Sequence, residues 1–173
     1  DFNVTNPACR EMCSNGPFYG LNEVIVPIVY RSVTGDVLSS PNYKIFTHML
    51  YKTGEMMQLV DAEGLTNKFT IFAIPDAVFN EWGYFYKVDA SGAFKEATIQ
   101  MNAKNISTQE MMTIMDMHIV AGEIKDFDRK AIYETRGGGY LKVWNGGVFG
   151  EEKNTNPFRV EILKSINPQT NGI

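Results

Sequence analysis

The stretch that decides the fold of this chain is KFTIFAIPDAVF, residues 68–79. Its first half is rich in aromatic and β-branched residues, which predict a short buried strand. Pro75 has no amide hydrogen to donate to a neighbouring strand, so we expect the strand to end there. Asp76 comes next, and the pattern predicts that its carboxylate caps the helix that follows, with Phe79 in the first turn.

A second motif, MHIVAG, occupies residues 117–122. It predicts the end of a helix that starts at Ser107, because Ser107 and Glu110 have the spacing of a capping box. Apolar residues recur at helical spacing through this segment, and we expect the helix to run to Gly122 and end there.

Together the two motifs resemble the signatures of the fasciclin domain family. The first family motif reads roughly Thr-hydrophobic-Phe-Ala-Pro-Thr/Asn-Asp-x-Ala-Phe, and the second reads roughly Tyr-His-hydrophobic-hydrophobic-x-Gly. The matching residues of this chain, mainly structural in such a fold, are Thr70, Phe72, Pro75, Asp76, Phe79, His118 and Gly122. The likeness continues in order through residues 138–143, 145–148 and 165–173.

The chain departs from the family at Met117, where members have a tyrosine. Because that Tyr–His pair is associated with integrin binding in animal members, the resemblance does not extend that role to this chain. Family members also carry one more strand after the segment that matches residues 165–173. The resemblance therefore predicts that the final strand is missing from this sequence.

The resemblance implies an α+β fold, a β-wedge or sandwich with several packed helices, over residues 41–173. Residues 1–40 are expected to form an N-terminal arm and an extended segment. Within that part, residues 1–20 are predicted to be irregular. Residues 21–33 are predicted to form an edge strand or an extended packing segment.

Other local patterns are clear in the sequence. A helix is predicted to open near Pro41 and a second short helix to end near Gly64. Residues 93–104 are predicted to form a helix or an insertion. The glycines at 137–139 predict a turn, and Asn145 followed by Gly146 predicts a tight hairpin.

Composition argues against two classes of protein, nucleic-acid binders and proteins with membrane-spanning helices. The net charge of −4, with no basic stripe, argues against nucleic-acid binding. No stretch approaches the roughly 20 apolar residues that a membrane helix needs. The first residue is Asp1, which we interpret as a processed chain. Membrane attachment is then expected only through a lipid anchor on a lost N-terminal leader.

Cys9 and Cys13 lie four residues apart. They form either a local disulfide in an exported protein or two free thiols, and both alternatives stay open. Two thiols without a nearby histidine make a poor zinc site, so no metal or other cofactor is predicted. His118 is expected to be hydrogen-bonded inside the fold, near the loop at Asp76.

A strongly aromatic segment follows the first motif. Because consecutive aromatic residues cannot all point inward, some of them are expected to form an exposed contact surface. The candidate interaction residues are Trp82, Tyr84, Phe85 and Tyr86. The methionines at 111, 112, 115 and 117 are expected to fill the core.

The resemblance implies a protein-binding or adhesion module outside the cytoplasm. A non-catalytic role is also predicted from the residues, because no nucleophile–base pair can be assembled. The resemblance is to fasciclin-like lipoproteins of Bacteroidota. It implies an accessory protein that is secreted or attached at the outer-membrane surface. Its predicted partner is another surface protein, such as an outer-membrane nutrient-uptake complex. The alternative is a glycan-binding module that uses the aromatic residues at 82–86.

Overall fold

A computed structural model describes residues 10–19, 24–60, 67–88, 97–150 and 159–161. The chain combines short helices with antiparallel sheets, so the fold is α+β as predicted. The helical elements are a 3-10 helix Ile28–Arg31, α1 Gly35–Ser39, α2 Lys44–Lys52, α3 Glu55–Leu59, α4 Asp76–Glu81 and α5 Thr108–Asp116.

The strands form two hairpin-based sheets and two separate strand pairs. They are β1 Arg10–Cys13, β2 Gly16–Tyr19, β3 Phe69–Ile71, β4 Tyr84–Val88, β5 Ala97–Met101, β6 Lys104–Asn105, β7 Ile119–Ala121, β8 Ala131–Glu134, β9 Tyr140–Trp144, β10 Gly147–Gly150 and β11 Arg159–Glu161. β1 pairs with β2 and β3 with β7; β4-β5-β6 and β11-β10-β9-β8 are the two larger sheets.

Helix α2 lies at the centre of the main core. Its apolar face is fully buried at Phe46, Met49 and Leu50, as the three- and four-residue spacing requires. Helices α1, α3, α4 and α5 and strands β5 and β7 each add buried apolar side chains around it. A second, smaller core lies between the inner face of strands β8 to β10 and a segment that consists of β7 and the residues after it.

Several local predictions are confirmed. The short helices α2 and α3 occur where expected, and α5 begins with the predicted capping box. The Glu110 carboxylate accepts a hydrogen bond from the Ser107 amide at 2.7 Å, and this bond lowers the pKa of Glu110. Asn145 and Gly146 connect β9 to β10 with the positive φ angles that a tight hairpin requires.

The N-terminal part differs from the prediction. Residues 10–19 form a hairpin of β1 and β2 rather than an irregular arm; residues 1–9 and 20 lie outside the described part. Residues 21–33 are predicted to form an edge strand or an extended packing segment. Where they are described the strand is wrong, because residues 24–26 are exposed without strand pairing and a 3-10 helix follows. Val33 and Val37 are buried in the same cluster as α2. The proposed division at residue 40 stays a prediction.

Two further predictions are corrected by the sheets. Helix α5 ends at Asp116, and residues 119–121 form β7 instead of continuing the helix. Residues 93–104 are predicted to form a helix or an insertion; the helix is wrong where the chain is described, because residues 97–105 form the β5–β6 hairpin. Its turn places Asn102 and Ala103 at φ 52° and 61°, which non-glycine residues rarely adopt. The predicted end of the second short helix near Gly64 and the segment 165–173 lie outside the described residues.

Candidate functional site

The two sequence motifs lie side by side, because β3 and β7 form an antiparallel pair. The pairing continues beyond both strands. The Phe72 amide donates to the His118 carbonyl at 2.9 Å, and the Gly122 amide donates to the Lys68 carbonyl at 2.8 Å. Segments that are about fifty residues apart in sequence thus form one structural unit.

Thr70 holds the chain that leaves this pair. Its hydroxyl donates to the Gly122 carbonyl at 2.9 Å and accepts from the Ile124 amide at 2.9 Å. Thr70 is buried, so it provides both backbone groups with the partner that buried polar groups require. The threonine of the first motif therefore fixes the turn that follows the second.

Asp76 caps a different helix from the one predicted. It is the first residue of α4, where Pro75 occupies the cap position without a side-chain hydrogen bond. The two carboxylate oxygens accept from the amides of Lys44 and Ile45, at 3.2 and 2.9 Å. These amides open α2, and the Asp76 amide donates in return to the Asn42 carbonyl at 2.8 Å. The carboxylate thus stabilises the start of the central helix and attaches the first motif to it.

His118 follows α5, and its ring is largely enclosed. Nδ1 lies 2.7 Å from the Ile114 carbonyl oxygen. Because a carbonyl only accepts hydrogen bonds, Nδ1 carries the proton. Burial lowers the pKa of His118, and the bond to Ile114 partly opposes this effect. The expected internal hydrogen bond is present, but the ring bonds its own helix end instead of the loop near Asp76.

Met117 precedes His118 in the second motif. Unlike Met111 and Met115, which are buried as expected, Met117 is exposed. Its sulfur accepts a weak bond from the Thr135 hydroxyl at 3.8 Å. A Cβ atom added to Gly139 would lie 2.5 Å from the Met117 methyl group. The glycine turn predicted after β8 therefore leaves room for this side chain.

An ionic cluster without any local sequence signal ties the turn after β8 to two helices. The Arg136 guanidinium contacts the buried carboxylate of Glu55 in α3 and donates to the Gln58 side chain at 2.9 Å. Its Nε lies 4.0 Å from a carboxylate oxygen of Asp116. Because Glu55 and Arg136 are 81 residues apart, no local pattern links them.

The four predicted aromatic candidates do not form one surface. Strand alternation turns Tyr84 and Tyr86 inward. The Tyr84 ring packs edge-on against Phe79 at 5.8 Å between centroids, and the Tyr86 ring packs against His48 at 5.7 Å. These two tyrosines are part of the packing around the main core.

The outward aromatic residues are Trp82, which is 73% exposed, and Phe85, which is 44% exposed. Phe85 stands directly opposite Gln100 on β5, whose side-chain amide donates to Asn105 on β6 at 3.0 Å. The Lys87 ammonium lies 5.8 Å from the centroid of the Phe85 ring. We use the name β4 outer surface for five residues: Trp82, Phe85, Lys87, Gln100 and Asn105.

The acidic side chains do not assemble a metal site in the part of the chain that the structure describes. The Asp126 carboxylate accepts from the amides of Asp128 and Arg129, at 2.9 and 3.1 Å, and so closes a turn. Within the described ranges, no three His, Cys, Asp or Glu side chains are grouped as a metal ion would require. Likewise, none of the helices described is long and apolar enough to cross a membrane.

Cys9 lies outside the described residues. Only the backbone of Cys13 is described, as the last residue of β1. A local disulfide between Cys9 and Cys13 and two free thiols therefore both stay predictions.

Neither a scan against protein-family models nor a search of curated proteins finds a match to this chain. The fasciclin resemblance rests on the motifs themselves and stays a prediction.

Proposed function

We propose that this chain is a fasciclin-like binding and adhesion module that works outside the cytoplasm and has no catalytic role. In this proposal it is an accessory surface protein that docks on another surface protein, such as an outer-membrane nutrient-uptake complex. The observation that carries the proposal is the exposure of two large aromatic side chains, Trp82 at the end of α4 and Phe85 on β4.

This surface has the properties of a protein contact site. Aromatic residues are enriched at the energetic centres of interfaces, where they bury much area with few rotatable bonds. Phe85 is fixed by a strand whose opposite face, with Tyr84 and Tyr86, packs around the core. A rigid presentation of this kind lowers the entropy lost on binding.

The test is a binding experiment with the full chain. Wild-type protein and the double variant Trp82→Ala/Phe85→Ala are immobilised and exposed to a mild-detergent extract of membranes from the native cells. We expect the wild type to retain a surface protein stoichiometrically and the double variant to lose at least about tenfold in affinity for it.

The matched control is Tyr51→Ala, because Tyr51 is an aromatic residue that is 69% exposed on α2, away from the β4 outer surface. This variant should bind like the wild type. Equal retention by all three proteins would refute a docking role for the β4 outer surface.

A second function, glycan binding, is favoured by one feature of the same surface. Polar groups lie next to the exposed Phe85 ring: Gln100 stands opposite it on β5 and bonds Asn105 on β6, and the Lys87 ammonium lies 5.8 Å from the ring centroid. An apolar ring bordered by hydrogen-bonding groups suits a sugar, which has both apolar and hydroxyl-bearing faces.

A glycan array discriminates this alternative. The informative variant is again Trp82→Ala/Phe85→Ala, because replacing Tyr84 would disturb its packing on Phe79 as well as any ligand. Selective binding of one glycan class by the wild type, lost in the double variant, would support the alternative. Binding that the double variant retains would remove it.

A further inference from the structure

The outer face of the β8–β9 pair presents a second exposed surface, separate from the β4 outer surface. Strand register places Ile132 opposite Lys142, and Glu134 opposite Tyr140. The intervening residues, Tyr133, Leu141 and Val143, face the second core. Alternation therefore directs one set of side chains outward: Ile132, Glu134, Tyr140, Lys142 and Trp144.

Three large side chains on this face are open to solvent. Ile132 is 55% exposed, Tyr140 49% and Trp144 51%. Single exposed apolar residues are ordinary on protein surfaces. Three on one face of two adjacent strands, two of them aromatic, have the composition of an interface centre.

The two charged residues on this face are placed so that the face can pair with a copy of itself. Glu134 and Lys142 occupy diagonal corners of the four-residue set, while Tyr140 and Ile132 occupy the other two. Lys142 extends toward Trp144, with its ammonium 5.9 Å from the ring centroid, which directs it away from Glu134. One negative and one positive group on opposite sides of an apolar centre make the face complementary to itself.

We propose that this face binds the same face of a second copy of the chain. A twofold axis along the diagonal from Tyr140 to Ile132 brings each Glu134 onto the Lys142 of the second copy. It also sets the two Tyr140 rings and the two Ile132 side chains against each other. Such isologous pairing of one surface with itself is the usual way in which homodimers form.

The test is sedimentation velocity of the purified full chain from about 1 µM to about 1 mM, a range that detects even weak dimers. The wild type should dimerise with rising concentration. Glu134→Lys and Lys142→Glu should each weaken dimerisation at least about tenfold, since each variant sets two like-charge pairs face to face. Ile132→Ser should weaken it by a similar factor without any change of charge, because the axis sets the two Ile132 side chains against each other and serine removes that apolar contact.

Mixing the two charge variants is the decisive step. A Glu134→Lys copy and a Lys142→Glu copy have complementary charges at both pairs, so the mixture should form a heterodimer with near wild-type affinity. This rescue also demonstrates that both variants are folded. The control Lys104→Glu carries the same charge change on β6 and should dimerise like the wild type.

Three results would overturn the proposal: a wild type that stays monomeric throughout the range, a dimer that neither charge variant weakens, and weakening that mixing does not reverse. None of them bears on the β4 outer surface, which is tested with different variants and a different partner.

Discussion

Replacement of Thr70 by valine tests whether one hydroxyl group joins the two motifs. Valine has the same shape as threonine but leaves the Gly122 carbonyl and the Ile124 amide without the partner that each has at 2.9 Å. A buried polar group that loses its partner costs about 1–3 kcal/mol. With two such groups, and a small gain from the added methyl, we expect Thr70→Val to lower the free energy of unfolding by roughly 2–4 kcal/mol.

Thr70→Ser provides the opposite perturbation, because serine keeps the hydroxyl and removes the methyl group. The loss of one buried methyl costs about 1 kcal/mol. Hydrogen bonding therefore predicts that valine is the more destabilising replacement, whereas packing alone predicts that serine is. The order of the two variants decides between the explanations even if both magnitudes differ from these values.

The assay is urea unfolding followed by tryptophan fluorescence and circular dichroism. With an urea m-value of about 1–3 kcal/mol/M, Thr70→Val should lower the midpoint by about 1–2 M. Thr113→Val is the control, because Thr113 is exposed and its hydroxyl bonds only the preceding turn of α5. A Thr70→Val protein as stable as the Ser variant, or more so, would refute the role assigned to the hydroxyl.

Three further predictions concern other contacts. Burial lowers the pKa of His118, so the unfolded state binds a proton before the folded state does as pH falls below about 6.5. The contribution of His118 to stability should therefore be full above that pH and decline below it. Thermal melts between about pH 7 and 5, above the range in which Glu110 titrates, should show a smaller decline for His118→Asn. Arg136→Met should cost about 3–5 kcal/mol in urea unfolding by leaving the Glu55 carboxylate buried alone; adding Glu55→Leu should recover most of the loss, and a double variant no more stable than the single one would contradict this. Gly35→Ala should cost roughly 3 kcal/mol, because a Cβ there would lie 2.3 Å from the Tyr30 carbonyl oxygen, and a melting temperature unchanged from wild type would show that the backbone accommodates it.

Local chemistry made part of the fold predictable. The capping box at Ser107 and the turn at Asn145 and Gly146 depend only on residues within four positions of one another. Such signals act in any tertiary context, since their partners are already adjacent in the chain. The apolar face of α2 was predictable for the same reason.

The secondary-structure predictions that are wrong concern segments whose conformation depends on distant parts of the chain. Ile119 continues the four-residue spacing of Met111 and Met115, so periodicity alone extends the helix. Pairing with β3 instead places Ile119 in a strand, which suits a β-branched residue. The β5–β6 hairpin was missed because its turn uses Asn102 and Ala103 at positive φ without a glycine.

The candidate surface was predictable only in part. The sequence showed that consecutive aromatics cannot all be buried, but not which of them point outward. That choice depends on β4 being a strand, with Tyr84 packed against Phe79 and Phe85 on the opposite face. The cap that Asp76 provides to α2 spans 31 and 32 residues, and therefore has no local signal at all.

The contacts of the motif residues explain why their polar groups are poor candidates for chemistry. The Thr70 hydroxyl, both carboxylate oxygens of Asp76 and Nδ1 of His118 all bond backbone groups. A substrate would have to displace bonds that hold β3, α2 and the end of α5 in place, at a cost in stability for each bond lost. Substitutions at the motifs should therefore change stability before they change binding. Substitutions at Trp82 and Phe85, which are exposed, should change binding with little effect on stability. Two results would contradict this assignment of stability to the motifs and binding to the exposed aromatics. One is a Trp82/Phe85 variant that unfolds easily, and the other is a Thr70 variant that stays stable but no longer binds the partner protein.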